Sequence, residues 1–295
     1  MQKYFLFLFL FAFSFVPARS QDTSLLKMLD DSLAAGPWAD QATGTFKATQ
    51  IINTPTVEAP GKKGLQFLIM HRFGKLNEGG YALFGLDNAT IRFGLDYGLT
   101  DRLAVGIGRS QLDKTFDGSL KWKVLRQAAG KVPITVSLYG LLTHYTLKMP
   151  DKPYLNARYR TAYTTQALIA RKFNRNLSLQ LSPAWTHFNL VPTPQDNNEV
   201  FSLGIGGRMK ITRRISINAE YNLLPGSQLP STDPDNSLSL GFDFETGGHV
   251  FQLVFTNSQG MTGPYYLAKT QGEWGDGDIY FGFNISRSFS FKKNK

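Results

Sequence analysis

The stretch "SLSLGFDFETGGHVFQLVF", residues 237–255, alternates Leu238, Leu240, Phe242 and Phe244 with Ser239, Gly241, Asp243 and Glu245. The pattern resumes through Val250, Gln252 and Val254 after Thr246-Gly247-Gly248. Successive side chains of a strand point to opposite faces, so a period of two across a Gly-Gly turn specifies a β-hairpin with two unlike faces. The same pattern recurs near residues 64–73, 88–97, 102–110, 116–126, 133–144, 161–172, 176–188, 199–211, 214–223, 236–245, 249–257 and 277–291. Soluble strands usually hold about five or six residues. These run longer, near the roughly 9–11 residues that a tilted strand needs to cross a bilayer.

The connections alternate in length. Those after the even-numbered segments are short, and "GLTDRLAV" (98–105), "FNRNLSL" (173–179) and "ITRRISI" (211–217) look alike. Those after the odd-numbered segments are generally longer and turn-rich, as in "YTLKMPDKPYLNAR" (145–158) and "PGSQLPSTDPD" (225–235). An even-stranded meander collects short turns at one end and long loops at the other, the layout of outer-membrane barrels with their short turns in the periplasm. The polar face decides between membrane and water. Ala104, Gly106 and Gly108 lie between Leu103, Val105 and Ile107, and Ser202, Gly204 and Gly206 between Phe201, Leu203 and Ile205. A solvated exterior favours long polar side chains, whereas Gly and Ser suit a crowded lumen and Phe, Leu and Ile suit lipid. The expected fold is all-β, an up-and-down antiparallel transmembrane β-barrel of about twelve strands.

Other features agree with export. Residues 1–20 carry Lys3, an apolar run from Phe5 to Val16 and the small-x-small end Ala18-Arg19-Ser20, the pattern of a signal peptide cleaved after about Ser20. With no cysteine, disulfide scaffolds, thiol nucleophiles and thiolate metal sites are excluded. The net charge of +10 comes from scattered basic residues, so anionic headgroups or solutes fit better than nucleic acid. Leu25, Leu26, Met28, Leu29 and Leu33 recur at helical spacing up to Gly36, which predicts a short N-terminal periplasmic helix docked at the barrel mouth. The division expected is a signal peptide at 1–20, helix and linker at 21–63, barrel at 64–291 and a basic tail at 292–295. Within the linker, "FKATQII" (46–52) is β-prone. Tyr97, Trp185, Phe188 and Tyr221 sit where aromatic belts meet the membrane interfaces.

The segments "LIMHRFGKLN", "LFGLDNATIRFGLDYGLTDRLAVGIGRS" and "KTFDGSLKWKVLRQ" resemble a family of outer-membrane β-barrels of unknown function from Bacteroidota-type bacteria. The last strand, with Phe289 and Phe291 alternating, resembles a C-terminal barrel-assembly signal. The family resemblance covers roughly residues 44–291 and implies fold and location, with no catalytic residues to carry over.

Chemistry is sparse. His71, His144 and His187 share the apolar parity, and His249 stands apart; none forms a metal-ligand pair by spacing. A lipid-active hydrolase built on them is one alternative, and headgroup contact another. "GIGRS" and "GIGG" lie within strands, so they are not phosphate loops. "DPDNS" and "GDGD" lack a calcium-loop spacing and read as turns. No cofactor or metal is implied. Parity turns Arg92, Asp96, Lys121, Lys123, Arg208, Lys210, Glu220, Asp243 and Glu245 inward, as an internal salt-bridge network, a charged pore lining or a solute site. The leading expectation is a narrow passive pore or solute-binding channel for a small anionic or polar solute. It would be embedded in outer-membrane lipid, inserted by the barrel-assembly machinery and met by an unknown periplasmic partner. A structural or partner-docking barrel is the other alternative.

Overall fold

The computed structural model describes residues 41–291. The helix expected over 24–35, the leader and the tail 292–295 lie outside them. Twelve strands run Gly64–Lys75 (β1), Ala89–Gly98 (β2), Leu103–Ser110 (β3), Thr115–Leu125 (β4), Thr135–Tyr145 (β5) and Thr161–Lys172 (β6). They continue with Leu177–Phe188 (β7), Glu199–Lys210 (β8), Ile215–Leu223 (β9), Ser237–Thr246 (β10), His249–Thr256 (β11) and Tyr280–Ser290 (β12). Each pairs antiparallel with its sequence neighbours, and β1 closes on β12 with Gly64 opposite Ser290 and Ile69 opposite Ile285. Closure matters energetically, because an open edge would leave a row of backbone donors and acceptors unpaired in lipid.

The two faces are inverted relative to a soluble barrel. Along β10, Ser237, Ser239, Gly241 and Asp243 are buried while Leu240, Phe242 and Phe244 are exposed. Across the wall, Phe93, Leu95, Ile107, Phe201 and Ile205 also face outward. The interior is built mainly of Ser, Thr, Asn, Gln and charged residues. Burying an apolar face against lipid and a hydrogen-bonded polar face inside is the arrangement a membrane barrel requires. Tyr97 and Tyr221 are exposed on the outer face, and the Trp185 ring lies 6.1 Å from that of His187. Phe188 departs from the expected belt. Its parity is opposite to that of Trp185, and it is buried inside with Ala162, Val200, Leu229 and Ala268.

The loop asymmetry has two exceptions. The β3–β4 connection at the long-loop end is only 111–114, and the β4–β5 connection at the short-turn end extends over 126–134. The latter is stiffened by the Ala128–Val132 bridge and a second bridge to Gln41. At the β10–β11 turn, Gly247 has φ +58°, the left-handed region that a two-residue hairpin turn demands.

Candidate functional site: a filled lumen below a loop-lined vestibule

Residues 46–58, read from sequence as part of a linker, fold back as a hairpin inside the barrel. Gln50 bridges Pro55, the Ile51 amide donates to the Thr54 carbonyl at 2.8 Å, and the Thr56 amide to that of Thr49 at 2.9 Å. Phe46, Ile51, Ile52 and Val57 are buried against Leu168, Ala170 and Val254 of the wall, with Tyr139 packed alongside. Each such side chain removed from water stabilises docking by about 1.5–3 kcal/mol. The small inward residues now have a local reason. A Cβ at Gly206 would come 2.6 Å from the Ile51 Cδ1, and one at Gly241 would meet Ile52 Cδ1 at 3.2 Å.

Polar contacts fix the hairpin. Successive amides of Ile52, Asn53 and Thr54 converge on the Glu220 carboxylate at 3.2, 2.9 and 3.0 Å, a backbone nest filled by a side-chain anion. The Lys121 ammonium donates to the carbonyls of Thr49, Thr56 and Glu58 at 3.4, 2.9 and 2.8 Å. Lys123 pairs with the Glu58 carboxylate at 3.0 Å. The Asp96 carboxylate accepts from the Thr49 hydroxyl at 3.2 Å. Gln180 accepts from the Val57 amide and donates to the Pro55 carbonyl. Gln252 and Asn284 donate to the carbonyls of Ile51 and Ile52. Arg72, wholly buried, donates to Asn53 Oδ1 and Asn284 Oδ1, both at 2.9 Å. Donors and acceptors from around the circumference therefore converge on one segment, so that its buried backbone groups are satisfied inside the lumen. The space left between the hairpin and the wall near Arg92, Lys121 and Tyr139 is about 20 Å³, roughly one water.

The remaining charged residues form wall pairs. Arg92 and Asp117 make a buried double contact at 2.6 and 2.9 Å. Arg208 pairs with Glu245 and lies 3.9 Å from Asp243, whose carboxylate also accepts from Gln252 at 2.6 Å. Lys47 reaches Glu245 at 3.8 Å. Lys210 is half-buried at the short-turn end of β8. Sequence reasoning passed over Arg72 and Asp117. Arg72 shares parity with Leu68 and Met70, which are apolar yet inward, so β1 lacks a clean polar face in the sequence.

From the other end, the β11–β12 loop also folds into the barrel. Its short helix Gly263–Ala268 (α1) is buried throughout. The Tyr265 hydroxyl donates to Asp113 at 2.7 Å and lies 2.9 Å from Thr115 Oγ1. The Tyr266 hydroxyl accepts from Gln166 at 3.0 Å and lies beside Thr54 at the hairpin tip. Loop helix and hairpin thus meet end to end. Above α1, bounded by the β5–β6, β7–β8 and β9–β10 loops, opens a vestibule of about 950 Å³. Asp196 ties two of those loops together, accepting from the Thr193 amide and hydroxyl and from the Ser231 amide and hydroxyl at 2.6–3.0 Å.

The histidines offer no hydrolytic pairing among the described contacts. His71 stacks on Phe283 at 4.8 Å, His144 contacts Thr161, and His187 pairs with Glu199 at 2.7 Å. Among the described residues no group of three His, Cys, Asp or Glu is placed to hold a metal ion.

A closed twelve-stranded barrel with an apolar belt, a polar interior and an internal plug is a transmembrane β-barrel of the outer-membrane type. The chain belongs to the membrane-bound beta barrel domain family DUF5777, whose model matches residues 46–289; the match begins at the hairpin. Among solved structures, the NanC porin aligns with a TM-score of 0.49 at 9% identity, covering 77% of this chain and 100% of that one. The KdgM porin aligns with a TM-score of 0.45 at 7% identity, covering 77% and 99%. No curated protein matches the chain.

Proposed function

We propose that this barrel is a solute-binding channel of the outer membrane, closed at rest by its own N-terminal hairpin. It passes a small anionic or polar solute when the hairpin withdraws. The observation that carries this reading is the Glu220 nest. A permanently filled lumen could be built from inward-facing bulky side chains, whereas here a separate chain segment is held by side chains from around the wall. That segment joins β1 through 59–63 on the short-turn side, the same side on which Gln41 bridges Ala128 and the Ala42 amide donates to the Gln127 carbonyl. On this reading the long loops face outside, the leader 1–20 is removed during export, the assembly machinery inserts residues 64–291, and residues 21–40 serve to recruit a periplasmic partner. The inward charged residues then divide by role. Asp96, Lys121, Lys123 and Glu220 hold the hairpin, and Arg92, Arg208, Asp243 and Glu245 brace the wall.

The test is single-channel recording in planar bilayers. The full chain is expected to remain closed for most of the record, and deletion of 46–58 to produce steady conductance while the heat-modifiable gel mobility of a folded barrel is retained. A folded deletion variant that stays non-conducting would favour the docking barrel, because a lumen without the hairpin would then still be sealed by the β11–β12 loop.

A further inference from the structure

The vestibule is lined by three cationic side chains, Lys152, Arg160 and Lys269, against one carboxylate, Asp113. Two of these four charged groups are committed to the protein. Asp113 accepts the Tyr265 hydroxyl at 2.7 Å. The Arg160 guanidinium donates to the carbonyls of Leu147 and Leu155 and sits 5.2 Å from the Tyr145 ring centre. Lys269 differs. Its ammonium lies 5.3 Å from the Phe188 ring centre and 5.1 Å from that of Tyr265, with no carboxylate at ion-pair distance among the described residues. Protein surrounds it on most sides, which lowers its pKa against the pull of Asp113, yet the cavity leaves it open to solvent. A cation held over two aromatic faces, without a carboxylate partner and open to the cavity, gains most from an incoming anion.

The rest of the lining indicates the body attached to that anion. Tyr154 and Tyr159 from one loop and Leu190 and Pro192 from another add aromatic and apolar side chains to the lining, and Asn189 and Gln271 add amides. We infer that the vestibule is a binding site for a monocarboxylate carried on a ring-sized body, with Lys269 as its anchor. The inference rests on the solute-binding reading above and names the class of solute. A carboxylate on a sugar ring and one on an aromatic ring share this chemistry, since both combine one anionic group with a flat apolar face.

The experiment is calorimetric titration of the full chain in lipid nanodiscs at fixed salt, with glucuronate and benzoate as probes and glucose and benzyl alcohol as their neutral counterparts. At least one acid is expected to bind about tenfold or more tighter than its neutral counterpart, the worth of one charge-assisted contact. Which acid does so identifies the ring. Lys269→Gln should abolish that discrimination while leaving the neutral partner's affinity unchanged. Equal binding of acids and neutrals by the wild-type chain overturns the proposal without any variant, as does a folded Lys269→Gln protein that still discriminates. Because binding is read on the closed barrel, it is independent of passage. Acid binding together with a non-conducting hairpin deletion would refute the channel and leave the site standing. Conduction without acid selectivity would do the reverse.

Discussion

At the scale of single residues, Glu220 holds the tip of the hairpin, because one carboxylate serves three successive amides. Glu220→Ala would leave those donors buried and unpaired, at about 1–3 kcal/mol each when no water replaces the carboxylate. Hairpin docking should therefore weaken by at least about 3 kcal/mol, a factor of over roughly 100 in its opening equilibrium. Hydrogen exchange at Ile52, Asn53 and Thr54 should accelerate by that factor while exchange in β10 and β11 stays slow. Uniform acceleration throughout the barrel would mean that Glu220 supports the wall instead. Much of this scale was legible beforehand. Parity alone places Glu220, Arg208 and Asp243 on the polar side of their strands, since a period of two leaves no third direction. What each residue touches was not legible. The partner of Glu220 is a backbone turn some 170 positions earlier in the chain, and backbone amides leave no mark in a sequence.

At the scale of elements, the strands were readable because lipid outside and polar contacts inside impose opposite demands on neighbouring residues. The hairpin was not. "FKATQIINTPTVE" is apolar and β-prone, but nothing in those residues says whether they lie beside a barrel or within one. Phe188 was assigned to the wrong face because an aromatic at a strand end fits a membrane belt by composition, while its parity with Thr186 points inward. Among the loops, the Asp196 tie makes a pH prediction. Burial would raise its pKa, but hydrogen bonds from Ser231 and Thr193 outweigh this and hold it down at about 2. A carboxyl depressed on folding contributes stability that is complete above the ordinary carboxylate range, near 4, and is lost as pH falls through about 2. With no native cysteine, a spin label on Thr232→Cys reads the β9–β10 loop alone. It should be immobilised above pH 4 and loosen as the pH falls through about 2. In Asp196→Asn it should be mobile throughout. A label equally immobile in both proteins at every pH would show that other contacts hold the loop.

At the scale of the whole molecule, the hairpin gives the barrel a direction. The segment enters from the side of the short turns, where Lys63 donates to Gly98 and the Lys62 amide to Asp101. The vestibule opens among the long loops. On the proposed function, the closed channel works as a receptor for an outside solute only if the vestibule faces outward and the hairpin joins the barrel on the periplasmic side. Function and topology therefore stand or fall together. Two single-cysteine variants separate the ends, Asp151→Cys in the β5–β6 loop and Arg175→Cys in the β6–β7 turn. Both positions are exposed, so reactivity reports the compartment and not burial. A bulky membrane-impermeant maleimide added to intact cells should label Asp151→Cys to completion and leave Arg175→Cys unmodified, with both reacting after lysis. Labelling of Arg175→Cys on intact cells would place the short turns outside. The hairpin would then be anchored at the external mouth, beyond the reach of any periplasmic partner, and the vestibule would open to the periplasm.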